Sequence, residues 1–242
     1  MTALVGVVIG VAAIVAAGES IVNLTRDRHV PLSERLALDF ALGMGVVSLL
    51  VFWYSLTVAG GFQPTWVIAT TVLLMVLSHW GRLRRFAPWS SSLPPAKPTP
   101  PSSGWLPAIY IVLLAAELLG SLAWSLTSSV GWDGLAVWGL KARAMTLEGT
   151  FPLSYLTDLS RQWSHLDYPW LLPLNEAWLY FLLGGVNEGA IKILFPLVFT
   201  ALLVLFYSAI RRVRSRSVAL LFTCLVGIVP SINSGAATGF AD

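Results

Sequence analysis

The sequence predicts an all-α, multi-pass transmembrane helical bundle with about six spans and interfacial juxtamembrane helices in an outer loop. Three observations carry this expectation. Of 242 residues, 56% are hydrophobic and 11% charged, whereas an ordinary soluble domain carries about 25% charged residues. Mean hydropathy is +0.76, so the chain lacks the polar surface that water would require. Its apolar residues also fall into long runs, and a helix needs roughly 20 of them to cross about 30 Å of hydrocarbon.

The runs Ala3–Val22, Leu38–Ala59, Trp66–Trp80, Trp105–Leu126 and Ala190–Ile210 reach or approach that length, and Val218–Ser231 is a shorter sixth. Met1–Ala17 has no basic segment ahead of it and no cleavage site leading to a soluble domain, so it reads as a retained first span rather than a signal peptide. The single cysteine, Cys224, lies inside an apolar run and reads as a small buried hydrophobe.

Positive charge orders the spans, because Lys and Arg concentrate on the cytoplasmic side. Arg26, Arg28 and Arg35 follow the first run; Arg82, Arg84, Arg85 and Lys97 follow the third; Arg211, Arg212, Arg214 and Arg216 follow Ile210. Together these are eleven of the fifteen basic residues. The first two clusters place the N-terminus outside and make 129–189 an outer loop. Trp170–Leu183 then decides the rest. If it crossed, the last arginine cluster would lie outside. It gives only about 21 Å of helix, and its Trp170, Trp178 and Tyr180 suit a headgroup position, so it reads as interfacial, with all three basic clusters inside and Asp242 outside.

The organisation expected is a three-helix N-terminal region (1–81), a Pro/Ser-rich cytoplasmic linker (82–104) and a second helical region (105–242). Asn23-Leu24-Thr25 matches a glycosylation sequon but falls at the cytoplasmic boundary and is set aside.

The outer loop gathers the residues able to carry chemistry. Asp133 follows the fourth run and precedes a helical pattern; eight residues on, Lys141 lies about 80° around an α-helix, so both can face one site at the membrane surface. Capping and anchoring explain the same residues: Asp is a favoured N-cap, Trp132 and Trp138 suit the interface, and Lys141 and Arg143 can snorkel to headgroups. His165, Asp167 and Tyr168 cluster before Pro169, either as a local hydrogen-bonded group or as part of a site. No second set with zinc-like spacing accompanies them, and phosphate-loop and nucleic-acid signatures are absent. Glu117 lies near the middle of the fourth run, where a carboxylate costs about 2.5–3.5 kcal/mol. It is a functional candidate or a protonated group hydrogen-bonded between helices.

The series Trp132-Asp133, Lys141-Ala142-Arg143, His165-Leu166-Asp167-Tyr168-Pro169, Leu174-Asn175-Glu176-Ala177-Trp178 and Leu183-Gly184, then one span ending in Arg and another leading to Gly239-Phe240-Ala241-Asp242, resembles the start of GT-C-type membrane glycosyltransferases. That group includes the protein O-mannosyltransferase and lipid A aminoarabinose transferase relatives. The resemblance covers about 105–242. It implies Asp133 as general base, a second acidic residue at Asp242, and a polyprenyl-phosphate sugar as donor, without a metal or other cofactor. The acceptor, a glycan, lipid or protein, would approach the outer face of the cytoplasmic membrane. Lys141, Arg143 and Arg161 would meet the leaving phosphate, with His165, Asp167 and Tyr168 positioning substrate. Two features depart from the family. Its acidic pair is replaced here by Asp133-Gly134, and its further helices lie beyond Asp242, so the expectation is the N-terminal portion of such an enzyme. Rival expectations are a transporter or flippase component built on Glu117, and a non-catalytic membrane scaffold.

Overall fold

The computed structural model describes residues 3–24, 30–58, 61–84 and 104–239, and for 81–84 the backbone alone. Every regular element among them is helical. In chain order these are α1 (Ala3–Val22), α2 (Leu32–Thr57), α3 (Pro64–Arg84), α4 (Leu106–Thr127), a π-helical turn (Gly134–Gly139), α5 (Leu140–Glu148), α6 (Leu153–Thr157), a 3-10 turn (Leu159–Ser164), α7 (Leu171–Leu183), α8 (Glu188–Ile191), α9 (Leu194–Arg211), α10 (Arg216–Gly227) and α11 (Pro230–Thr238).

Among the described residues, four helical segments are long and apolar enough to cross a membrane: Ala3–Val22, Leu32–Thr57, Leu106–Thr127 and Glu188–Arg211. The chain is therefore a multi-pass membrane protein. The expected count of about six falls to four, or five if α10 and α11 form one bent span. The apolar part of α3, Pro64–Trp80, is shorter than the rest. The expected run Val218–Ser231 is not one helix, because α10 and α11 meet at a 64° bend. Pro230 disfavours the helical conformation at the residue before it, and Val229 takes an extended ψ of 117°.

Small residues let α1 and α2 cross closely. A Cβ on Gly18 would run into the backbone of Asp39, and one on Gly43 into the carbonyl of Ile14. In lipid, where apolar side chains gain little by leaving the solvent, such close backbone approach is a main source of helix association. One apolar core then joins α1 and α2 to α7 and α9, through Ile14, Val47, Trp178, Leu194 and Ala201.

Ion pairs fix the direction of the spans. Arg35, in the first turn of α2, bonds Glu19 near the end of α1 at 2.9 Å, and His79 near the end of α3 lies 3.9 Å from Glu19. Arg212, just after α9, pairs with Glu34 at the start of α2. The arginines following α9 thus share one end of the bundle with Arg35. Opposite them lie the start of α1, the end of α2 and the 129–189 loop, since Phe151 donates its N–H to the Ser55 carbonyl at 3.3 Å.

Helix α7 does not cross. At its start Trp170 packs on Phe151 with ring centroids 4.7 Å apart; beyond its end Gly184 and Asn187 line a recess with Ala3, at the start of α1. Both ends therefore sit at the loop end of the bundle. The expectation of a surface-lying helix is corrected as well, because all residues from Pro173 to Tyr180 are buried. Trp178 donates Nε1–H to the Gly10 carbonyl at 3.1 Å, and Asn175 donates to the Met44 carbonyl at 3.1 Å. The aromatic residues that suggested a headgroup position are instead packing against α1 and α2. A Schellman turn ends the helix, with Gly185 N–H bonded to Tyr180 at 3.0 Å and Gly184 at φ 77°.

Candidate functional site

The loop end of the bundle is assembled around the π-helical turn. A Cβ on Gly139 would lie 2.8 Å from the Gly134 carbonyl, and one on Gly134 would lie 2.6 Å from Val130 and 3.1 Å from the Thr238 and Gly239 carbonyls. The wide turn therefore needs glycine at both ends. π-Turns are rare and recur at functional sites.

Asp133 opens this turn, half-buried, with helical φ and ψ and no capping hydrogen bond. The capping reading of Asp133 fails for that reason: its backbone is already helical, so the side chain is not turned back onto the exposed N–H groups. No hydrogen bond or ion pair occupies its carboxylate among the described residues. Its surroundings come from three segments. The Gly131 N–H donates to the Thr238 carbonyl at 2.7 Å, joining the loop to the end of α11. Trp132 approaches Trp163, with centroids 6.3 Å apart, and brings in the segment carrying Arg161 and His165. Asp242 lies outside the described residues, three positions beyond Gly239.

Lys141 is not at a surface site with Asp133. Its side chain is fully buried. The ammonium donates to the His165 carbonyl at 2.6 Å and lies 5.6–5.8 Å from the rings of Trp138, Tyr168 and Trp170. The expected common face assumed α-helical phase from Asp133 onward, and the intervening π-turn changes that phase. Burial pushes the Lys141 amine down to about 8, with Asp167 acting in the opposite direction. Aromatic faces and a carbonyl replace part of its lost hydration.

The other expected residues divide. His165 holds a left-handed backbone, φ 51°, a conformation costly outside glycine that gathers at functional sites. Its ring stacks on Tyr168 at 4.4 Å. Asp167 is exposed beside them. Arg161 is exposed, bonds Asp158 at 3.0 Å and lies 4.9 Å from the Tyr155 ring centroid. Arg143 points away, pairing with Glu188 at the start of α8. Lys141, His165 and Tyr168 thus form one unit, Arg161 adjoins it in the chain, and Arg143 belongs to another face. Among the described residues no three His, Cys, Asp or Glu side chains are placed to hold a metal ion.

Glu117 has a buried Oε2 with no hydrogen-bond partner, which corrects the expectation of a hydrogen-bonded carboxyl. It faces Gly227, at the end of α10, where a Cβ would collide with that oxygen.

Sequence reasoning passed over Glu176. It is fully buried in α7, both its oxygens lack a partner, and a Cβ on Gly139 would sit 4.0 Å from its Oε2. Burial, and secondarily Glu188, holds its carboxyl well above the usual range. The available signal was a lone carboxylate within Leu171–Leu183, a segment otherwise rich in Leu and aromatic residues.

Fold and site together define a multi-pass helical membrane protein whose chemistry-bearing side chains gather mainly at one end of the bundle. No family model, curated protein or solved structure matches the chain.

Proposed function

We propose that the protein is a membrane glycosyltransferase that moves a sugar from a polyprenyl-phosphate donor to a hydroxyl acceptor at the loop end of the bundle. The observation that carries this reading is the Gly131–Thr238 hydrogen bond of 2.7 Å. It brings the segment bearing Asp133, whose carboxylate has no partner among the described residues, against the end of α11.

The acceptor oxygen attacks the anomeric carbon while the bond to the phosphate oxygen breaks, its electron pair leaving with the phosphate. Asp133 takes the hydroxyl proton. A cation stabilises the growing phosphate charge. Lys141 is excluded from that task by burial, so it passes to Arg161, whose exposed pair with Asp158 is screened by water and easily exchanged. Lys141 instead holds His165 in place. The positive-inside rule puts this end outside the cytoplasmic membrane.

The test uses the full-length protein in nanodiscs with a panel of radiolabelled short-chain polyprenyl-phosphate sugars, reading transfer to a hydroxyl acceptor. Asp133→Asn lowers the rate by about 100-fold or more; an unchanged rate overturns the reading.

A second reading, a transporter or flippase component, rests on Glu117. This unpartnered carboxyl oxygen lies against Gly227, next to the 64° bend between α10 and α11. Broken helices beside intramembrane carboxylates recur at transport sites. Flipping of a fluorescent polyprenyl phosphate in vesicles that requires Glu117 and not Asp133 would establish it.

A further inference from the structure

We propose that Glu176 is a proton-binding site that controls docking of the π-helical turn onto α7: protonated, it stays buried beneath Gly139; ionised, it draws in water and parts the two segments. This inference stands apart from the glycosyltransferase reading, since it concerns the fit between two helical segments whatever the loop does.

The geometry supplies the reasons. Glu176 is fully buried, and neither oxygen has a hydrogen-bond partner. An isolated carboxylate pays heavily in such surroundings, so the group keeps its proton or the surroundings open. Among the described residues, no uncommitted positive charge lies against it. On α7, Tyr180 lies one turn away on the same face, and it too is buried. From α8, Glu188 repels the ionised form. From α5, Arg143 is already committed to Glu188 and Lys141 to the His165 carbonyl. The ionisable residues Glu19, Glu34, Arg35 and Asp39 of α1 and α2 sit at the opposite, arginine-rich end. The surface most easily opened is the one toward the turn. It has no side chain at Gly139, and the neighbouring Trp138 Nε1–H is likewise buried without a partner. The unpaired carboxyl of Glu176 lies against that seam, where arriving water gains hydrogen bonds.

The sign of the pH dependence follows from linkage. In the closed state the carboxyl is held above the ordinary value of 4.5, and in the open, hydrated state it returns toward that value. The closed state therefore binds a proton that the open state has released at any pH between the two. Closing is fully favoured below 4.5 and weakens by about tenfold per pH unit as pH rises toward the closed-state value. Lys141, held at about 8 against 10.5 when free, acts in a higher window and does not mask the effect.

The test is hydrogen–deuterium exchange of the full chain in nanodiscs, corrected for the intrinsic pH dependence of exchange, on wild type and Glu176→Gln. The amide is nearly isosteric and cannot ionise, and it keeps Lys141, His165 and Glu188 unchanged. Protection of residues 134–145 in the wild type is expected to fall as pH rises above 4.5, while Glu176→Gln shows a flat profile. A flat wild-type profile, or the same slope in both proteins, overturns the proposal. A second measurement needs no variant. An apolar carbodiimide, which reacts with protonated carboxyls in apolar surroundings, labels Glu176 in wild type near pH 5, with labelling declining as pH rises; mass spectrometry that finds no adduct at Glu176 at any pH overturns it as well.

Discussion

The buried ammonium of Lys141 bonds the backbone carbonyl of His165 at 2.6 Å. With the Tyr168 N–H, which donates to the same carbonyl at 3.0 Å, this contact holds a residue at φ 51° beside the segment that meets Trp132. The cation belongs to the framework of the loop, whereas Arg161 is exposed and paired with Asp158.

Removing that contact tests the assignment. Lys141→Met keeps most of the side-chain volume and loses the hydrogen bond, and it is expected to cost about 1–3 kcal/mol in unfolding measured in detergent. The gap between the two proteins also depends on pH. The folded amine titrates at about 8 and the free amine at 10.5, so the folded state releases its proton first. Wild-type stability relative to Lys141→Met therefore rises through that interval. A constant gap would mean that the ammonium is hydrated.

Sidedness follows from the pair between Arg212 and Glu34. In a Cys224→Ser background, single cysteines at Asp133 and Asp167 are expected to react with a membrane-impermeant thiol reagent in intact cells, and one at Ser215 only after permeabilisation. Reaction at Ser215 in intact cells would place the arginines following α9 outside and contradict the shared end.

Close crossing of α1 and α2 makes Gly43 sensitive to size. Gly43→Ala would force its methyl against the Ile14 carbonyl, and the helices must separate to admit it. The expected cost is about 1–3 kcal/mol, read as a lower midpoint of thermal unfolding in detergent. Gly45, which has open space around its Cα, is the control, and Gly45→Ala is expected to be neutral or slightly stabilising.

Trp178 ties α7 to α1. Trp178→Phe keeps the ring packing and removes the bond to the Gly10 carbonyl, at an expected cost of about 1 kcal/mol. Trp178→Ala is expected to cost about 3–5 kcal/mol, and limited proteolysis then cuts between 165 and 187 more readily. Equal effects of the two substitutions would show that the indole N–H, and not the ring, holds α7.

Part of this was legible in the residues. Composition and the long apolar runs determined that the chain is helical and lives in a bilayer, because a hydrocarbon solvent leaves few ways to satisfy a backbone. Arginine placement together with the short length of Trp170–Leu183 led to the expectation that the arginines following α9 lie at the end of the bundle where α2 begins, and the pair between Arg212 and Glu34 agrees. Asp133 and the His165–Tyr168 segment were visible as polar residues concentrated in one loop. Tertiary structure alone decided the rest. Apolarity and aromatic residues are equally suited to a headgroup layer and to a protein interior, and only the packing of α1 and α2 around α7 put Pro173–Tyr180 inside. Helical phase computed from sequence set Lys141 beside Asp133; a π-turn held open by Gly134 and Gly139 turned the lysine inward instead. Glu176 reads in sequence as an interruption of an apolar run, and it is the absence of any partner around its buried oxygens that makes it a site. That absence depends on every neighbour at once, and spacing along one helix does not encode it.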